Sequence, residues 1–208
     1  MKTVYFIRHG QSTGNVNIHE QQGSHTLLTK QGLAQAKQMA AHMKKFPLKA
    51  IIASPFKRTQ ATAEELSRET GLPITYSELF VERRRPGVQL RKKRTHPHFL
   101  WVQVQLMLFS RFAWYRHSDE ETPTDLLARA HEALAYIAAQ SEDTIAVVTH
   151  GRFMRALYAY MMLGEGVTGR AYLGLTRTMS MRNTALMVAT HDQGTWEVKA
   201  WNIDAREA

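Results

Sequence analysis

The chain has 208 residues, 44% of them hydrophobic and 22% charged, and it contains no cysteine. That excludes disulfides, cysteine-ligated zinc, iron–sulfur clusters and a cysteine nucleophile, and the length suits one domain of ordinary soluble composition. Lys and Arg number 27 against 18 Asp and Glu, a net charge of +9, which suits an anionic partner (phosphorylated substrate, nucleic acid or membrane surface) without choosing among them.

Val4-Tyr5-Phe6-Ile7 predicts a short buried strand that Arg8 ends. It is too short for a signal-peptide core. The apolar stretch from Phe99 to Phe109 is interrupted by Gln103 and Gln105 and falls short of the ~18 residues that span a bilayer. A cytoplasmic location with no membrane partner is therefore expected. Lys30 to Phe46 predicts a helix capped by Thr29, with Leu33, Ala36, Ala40 and Met43 on its buried face. Ala50–Ala53 is a second buried strand. Ser54-Pro55 then opens a helix to about Thr70, stopped by Gly71. Pro73 to Tyr76 is a short strand.

From Arg83 to about Ser118 the composition changes. Seven basic residues (Arg83, Arg84, Arg85, Arg91, Lys92, Lys93, Arg94) precede an aromatic-rich stretch with Phe99, Trp101, Phe109, Phe112, Trp114 and Tyr115. We read 83–118 as a partly helical insertion or lid on the rim of a single domain spanning 1–208. Thr122-Pro123 starts the next helix, whose buried face is Leu127, Ala130, Leu134 and Ile137. Thr144 to Thr149 is a central strand, and Gly151 to Leu163 a helix that stops at Gly164. Thr184–Ala189 and Trp196–Ile203 form a terminal hairpin around Asp192-Gln193-Gly194. Alternating strands and helices predict an α/β fold: a mostly parallel mixed sheet with helices on both faces.

Such sheets bind ligands beyond the carboxyl ends of their strands. Arg8-His9-Gly10 ends the first strand and Ser54-Pro55 the second, with Arg58 in the following helical turn. Thr149-His150-Gly151 ends the central strand. Glu78 and Glu82 both follow the third strand. Two arginines, two histidines and a carboxylate thus converge on one crevice, where helix N-termini add N–H donors. Guanidinium forks match a tetrahedral, multiply charged group. A neutral imidazole can attack phosphorus, and Arg8 and Arg58 disfavour its protonated form. A carboxyl can protonate the leaving oxygen and then accept a proton from water.

These residues resemble the histidine phosphatase superfamily, which includes the cofactor-dependent phosphoglycerate mutases. The resemblance rests on Arg8-His9-Gly10, Asn15, the stretch Leu28-Thr29-Lys30-Gln31-Gly32-Leu33-Ala34-Gln35-Ala36, Ser54-Pro55-Phe56-Lys57-Arg58-Thr59, and Val148-Thr149-His150-Gly151. It covers nearly the whole chain. It implies a phosphoglycerate mutase-like three-layer sandwich with His9 as the nucleophile that becomes phosphohistidine. Arg8, Arg58 and His150 would hold the phosphoryl group, with Asn15 and Gly151 assisting, and Glu82 would be the proton donor rather than Glu78. The chain departs from the family at Gln11, where glutamate is common, and in the basic segment after Glu82.

The expected activity is hydrolysis of a small phosphomonoester without metal or organic cofactor, a phosphoprotein being a further substrate class. Its rivals are a mutase-type phosphotransferase and a non-catalytic phospho-ligand or nucleic-acid binding module on the same fold. Plainer roles exist for single residues. Glu82 is alternatively a surface carboxylate paired with adjacent arginines, and Asn15 a helix cap. His96-Pro97-His98 has no partner cluster with metal-ligand spacing.

Overall fold

The apolar runs at the centre of the chain do not alternate with polar residues, and a strand of that kind is stable only when both of its faces are covered. The computed structural model describes residues 1–17, 22–84, 96–109, 120–176 and 178–208. Its strands are β1 (Lys2–Arg8), β2 (Ala50–Ala53), β3 (Ile74–Tyr76), β4 (Thr144–Thr149), β5 (Leu186–Asp192) and β6 (Thr195–Ile203). The helices among the described residues are α1 (Thr13–Val16), α2 (Lys30–Met43), α3 (Lys57–Thr70), α4 (Pro97–Phe109), α5 (Pro123–Ala138), α6 (Gly151–Leu163) and α7 (Gly169–Thr176). A 3-10 turn spans Glu78–Phe80.

The strands form one six-stranded sheet in the order β3-β2-β4-β1-β5-β6. β3, β2, β4 and β1 run parallel, while β5 and β6 are antiparallel additions at one edge. Successive residues of the central strands feed opposite cores, as the two-residue period of a strand requires. Val4, Phe6, Ile145 and Val147 pack with Leu126, Leu134, Phe153 and Leu157 of α5 and α6. Tyr5, Ile7, Ala146 and Val148 pack with Met39, Met43, Ala63 and Leu66 of α2 and α3. This is the three-layer mixed α/β arrangement expected. No helix among the described residues is long and apolar enough to cross a membrane.

The parallel register sets the strand ends level. Arg8 pairs with Thr149, and Ala53 with both Val148 and Tyr76. His9, Ser54, Ser77 and His150 therefore leave the sheet side by side.

Several boundaries differ from the sequence reading. α2 ends at Met43, not Phe46. Leu33 is 37% exposed rather than buried, because Gly32 fixes the rotation of the helix. A Cβ at Gly32 would overlap the carbonyl oxygen of Gln11, so only glycine lets α2 lie against the loop after β1. That contact turns Gly32, Ala36, Met39, Ala40 and Met43 inward and Leu33 out. β5 begins at Leu186 rather than Thr184. Thr184 has φ 57°, a turn conformation incompatible with a strand, and its amide donates to Arg8 O at 3.1 Å. α7 was not anticipated from the sequence. Within the basic and aromatic segment only α4 is described beyond Arg84. There Phe99 and Val102 are buried and Trp101 is exposed, while Arg85, the run Arg91–Arg94, Phe112, Trp114 and Tyr115 lie outside the described residues.

Candidate active site

Arg58 occupies the second position of α3 and is fully buried, as are His9 and His150. Its guanidinium is divided among three acceptors. Nε donates to His9 Nε2 at 3.2 Å, and Nη2 to His150 Nδ1 at 3.0 Å. Nη1 donates to the Gly23 carbonyl at 2.7 Å. A buried charge with only neutral partners is an uncomfortable group. Burial, more than the neighbouring charges, brings the Arg58 pKa down to about 10, with Glu82 opposing the shift and Arg8 adding to it.

These bonds fix the tautomers of both rings. Arg58 has no acceptor, so the nitrogens facing it carry lone pairs. His9 then holds its proton on Nδ1, which donates to Gly10 O at 2.7 Å. His150 holds its proton on Nε2, which donates to Ser54 Oγ at 2.9 Å. Both rings stay neutral well below the usual histidine range. Desolvation is the main cause, and the charge of Arg58 is next, with Arg8 adding to both. The two rings stand edge to face with centroids 5.3 Å apart. His9 thus presents an unprotonated Nε2 toward a guanidinium and a second imidazole.

Arg8 enters from the other side. Its Nη1 donates to Met181 O, and Gly151 leaves it room, since a Cβ there would stand 3.3 Å from Arg8 Nε. The part of Gly151 is therefore clearance for Arg8. Burial lowers the Arg8 pKa, with Glu82 opposing.

Glu82 is drawn to the start of α6. Its Oε1 accepts from Phe153 N at 3.2 Å and Arg83 N at 3.0 Å, and its Oε2 accepts from Arg152 N at 3.4 Å. A carboxylate at a helix N-terminus is favoured by the free amides and the dipole there. The adjacent Arg83 side chain goes elsewhere, to Glu121 O at 3.0 Å and to Glu120 at 3.6 Å. Glu78 is exposed on the 3-10 turn. Of the two glutamates, Glu82 is the one whose charge acts on Arg8 and Arg58.

Asn15 stands one step back. Its Oδ1 accepts from Ser12 N and Ser12 Oγ, both at 3.0 Å, so it does cap α1. It joins the site through Asn183, whose Nδ2 donates to Asn15 Oδ1 at 3.3 Å and to His9 O at 3.0 Å.

Some supporting residues were not found by sequence reasoning. Thr62 donates to Arg58 O at 2.8 Å and accepts from Gly10 N at 3.1 Å, tying α3 to the loop that carries His9. Its place one helical turn after Arg58 was the available signal. Asn183 and Met181 come from a loop far along the chain and carry no local signal. The third omission is a buried pair behind Glu82. Arg129 Nε and Nη2 donate to the two oxygens of Glu121 at 2.7 and 2.8 Å. Arg129 Nη1 donates to Leu79 O and Val81 O at 2.7 and 2.9 Å. Thr149 Oγ1 holds Phe80 O at 2.6 Å. The backbone leading into Glu82 is thus clamped from both sides.

The fold and sequence are similar to those of known proteins over almost their full length. A mycobacterial glucosyl-3-phosphoglycerate phosphatase solved with VO3 is 22% identical, with a TM-score of 0.78 over 98% of this chain and 100% of that one. YhfR of Bacillus stearothermophilus is 24% identical, with a TM-score of 0.79 over 99% and 100%. Among curated proteins, "Uncharacterized phosphatase PhoE" of Bacillus subtilis is 26% identical over 99% of this chain and 96% of its own. "Probable phosphoglycerate mutase GpmB" of Salmonella arizonae is 24% identical over 98% and 92%. Residues 4–204 match the family model of the histidine phosphatase superfamily (branch 1), and the chain belongs to that superfamily.

Proposed function

We propose that this protein is a phosphomonoester hydrolase that works through a phosphohistidine at His9. The observation that carries the reading is the buried Arg58, which addresses His9 Nε2 and His150 Nδ1 together. A phosphoryl group placed between the three would accept from Arg58 as the imidazole lone pair reaches phosphorus.

In the first step the His9 Nε2 lone pair forms the P–N bond while the P–O bond to the alcohol breaks. Glu82, entering as the acid, gives its proton to the leaving oxygen. Arg8 and Arg58 hold the equatorial oxygens, and the His150 Nε2–H becomes a further donor as it turns from Ser54 Oγ to the phosphoryl group. In the second step water attacks phosphorus, Glu82 takes the water proton, and the P–N bond breaks. His9 returns to its Nδ1–H form and inorganic phosphate leaves. No step calls on a metal ion or organic cofactor.

The names of the relatives support both hydrolysis and phosphoryl transfer between positions of one substrate. Glu82 at the α6 terminus suits either. We favour hydrolysis because the segment after Glu82 is strongly basic in this chain and lacks the family's usual glycine-and-tryptophan pattern. The test is a panel of phosphomonoesters assayed for released phosphate in EDTA, with the organic product identified. Stoichiometric phosphate with the free alcohol is expected. An isomerised phosphoester with little free phosphate would make the protein a mutase, and full loss in EDTA restored by Mg²⁺ would contradict the mechanism.

A further inference from the structure

The charge of this chain is concentrated in one stretch. Residues 83–118 contain nine Lys and Arg and no Asp or Glu, whereas the rest of the chain carries 18 charges of each sign. The whole net charge of +9 therefore belongs to that stretch. The phosphoryl chemistry calls on none of it, since Arg8 and Arg58 lie elsewhere in the sequence.

Within the same stretch lies α4, which has no Lys, Arg, Asp or Glu along its length. At 3.6 residues per turn, Leu100, Trp101, Val104 and Leu108 fall within an arc of about 100°. All four are more than half exposed. Phe99 and Val102 fall on the opposite side of the helix and are buried. One apolar side of α4 thus packs against the protein and another faces solvent. A helix at a protein surface ordinarily turns polar residues outward, so an aliphatic outer stripe marks a contact surface. Trp101 borders that stripe and stacks on His98 with ring centroids 6.0 Å apart.

We propose that α4 docks this protein onto the surface of an anionic membrane. Its outer stripe enters the lipid interface, and the positive charge of its stretch supplies the attraction to acidic headgroups. The combination of aliphatic side chains with an excess of positive charge selects this occupant. A second copy of the chain would bring nine positive charges against nine. Nucleic acid would meet the charge but offer nothing to Leu100, Val104 and Leu108. The sequence argument against a membrane partner concerned spanning, and α4 does not span: its 13 residues reach about 20 Å, short of a hydrocarbon core of ~30 Å. A helix lying in the interface has no such length requirement. The proposal is independent of the phosphomonoester reading.

The test is cosedimentation of the full chain with vesicles of phosphatidylcholine alone or mixed with phosphatidylglycerol, at low and high salt. The anionic vesicles should bind it about ten-fold or more tighter than the neutral ones, and high salt should weaken that binding by screening the surface charge. Leu100→Ser/Val104→Ser/Leu108→Ser should reduce binding to anionic vesicles about ten-fold or more. Its Tm and its turnover of p-nitrophenyl phosphate should stay unchanged, because the three side chains are exposed. Leu100→Ile/Val104→Ile/Leu108→Ile should bind as the unmodified chain does. Absence of binding to anionic vesicles, or binding that the Ser variant retains in full, overturns the proposal. Binding to duplex DNA in place of vesicles, or a dimer that the Ser substitutions dissolve in a chain that ignores vesicles, overturns it in favour of those partners. Should the Ser variant fail to fold, the lipid comparison on the unmodified chain still decides: equal binding to both kinds of vesicle overturns it.

Discussion

Arg58 shows why the histidine tautomers need no external agent. A cation with five N–H donors on three nitrogens and no acceptor forces lone pairs to face it, and both imidazoles comply. His9 was legible because it follows a strand end directly, and Arg58 because it lies in the first turn of the helix that Ser54-Pro55 opens after β2. Thr62 and Asn183 were not, because their roles arise from backbone groups they bridge across the fold. Glu82 was legible as the choice over Glu78 through the family resemblance and not from its position alone, since both follow β3. The structure separates them by exposure and by the amides at the start of α6. Glu82→Gln should therefore slow alkyl phosphates at least ten-fold more than p-nitrophenyl phosphate, whose leaving group needs little protonation. The ratio of kcat values on the two substrates checks this. The same selectivity in Glu78→Gln, and not in Glu82→Gln, would move the role to Glu78.

At the scale of elements, Glu82 depends on contacts between α5, the 3-10 turn and β4. Arg129 lies on the buried stripe of α5, three residues after Leu126 and four before Ala133. A charged residue at such a position is itself a signal of a buried pair, but its partner Glu121 lies just before the helix and cannot be assigned from periodicity. Removing one member of a buried pair leaves an uncompensated charge and typically costs about 3–5 kcal/mol. Arg129→Met would strand the Glu121 carboxylate and the carbonyls of Leu79 and Val81. We expect a loss of about 3 kcal/mol or more in urea unfolding, with Arg129→Met/Glu121→Met losing less than the sum of the single changes. A loss below about 1 kcal/mol, typical of exposed ion pairs, would show that the clamp is not needed. The hairpin edge was legible too, but its start was not. Thr184 leaves the strand to bond Arg8 O, which only the folded chain reveals.

For the whole molecule, the alternation of apolar strands and amphipathic helices was enough to predict the layered sheet, because each central strand must be covered twice. The rotation of α2 was not predicted, since it follows from the clearance at Gly32 rather than from periodicity. Burying two neutral histidines also ties global stability to pH. Both have folded pKa values below the unfolded value near 6.5. The unfolded chain then binds more protons in that window, so stability is full above about pH 6.5 and falls as pH drops toward the depressed values. The slope approaches about 1.4 kcal/mol per pH unit for each histidine. Thermal unfolding should show Tm falling below pH 6.5, and less steeply in His150→Gln. An unchanged slope in that variant would mean that other groups govern the acid limb. The central claim is a covalent intermediate on His9. Rapid quenching during turnover, followed by peptide mapping, should recover acid-labile, base-stable phosphate on His9 of the unmodified chain and none in His9→Ala. Undiminished turnover in His9→Ala, or phosphate recovered on another residue, would contradict the account.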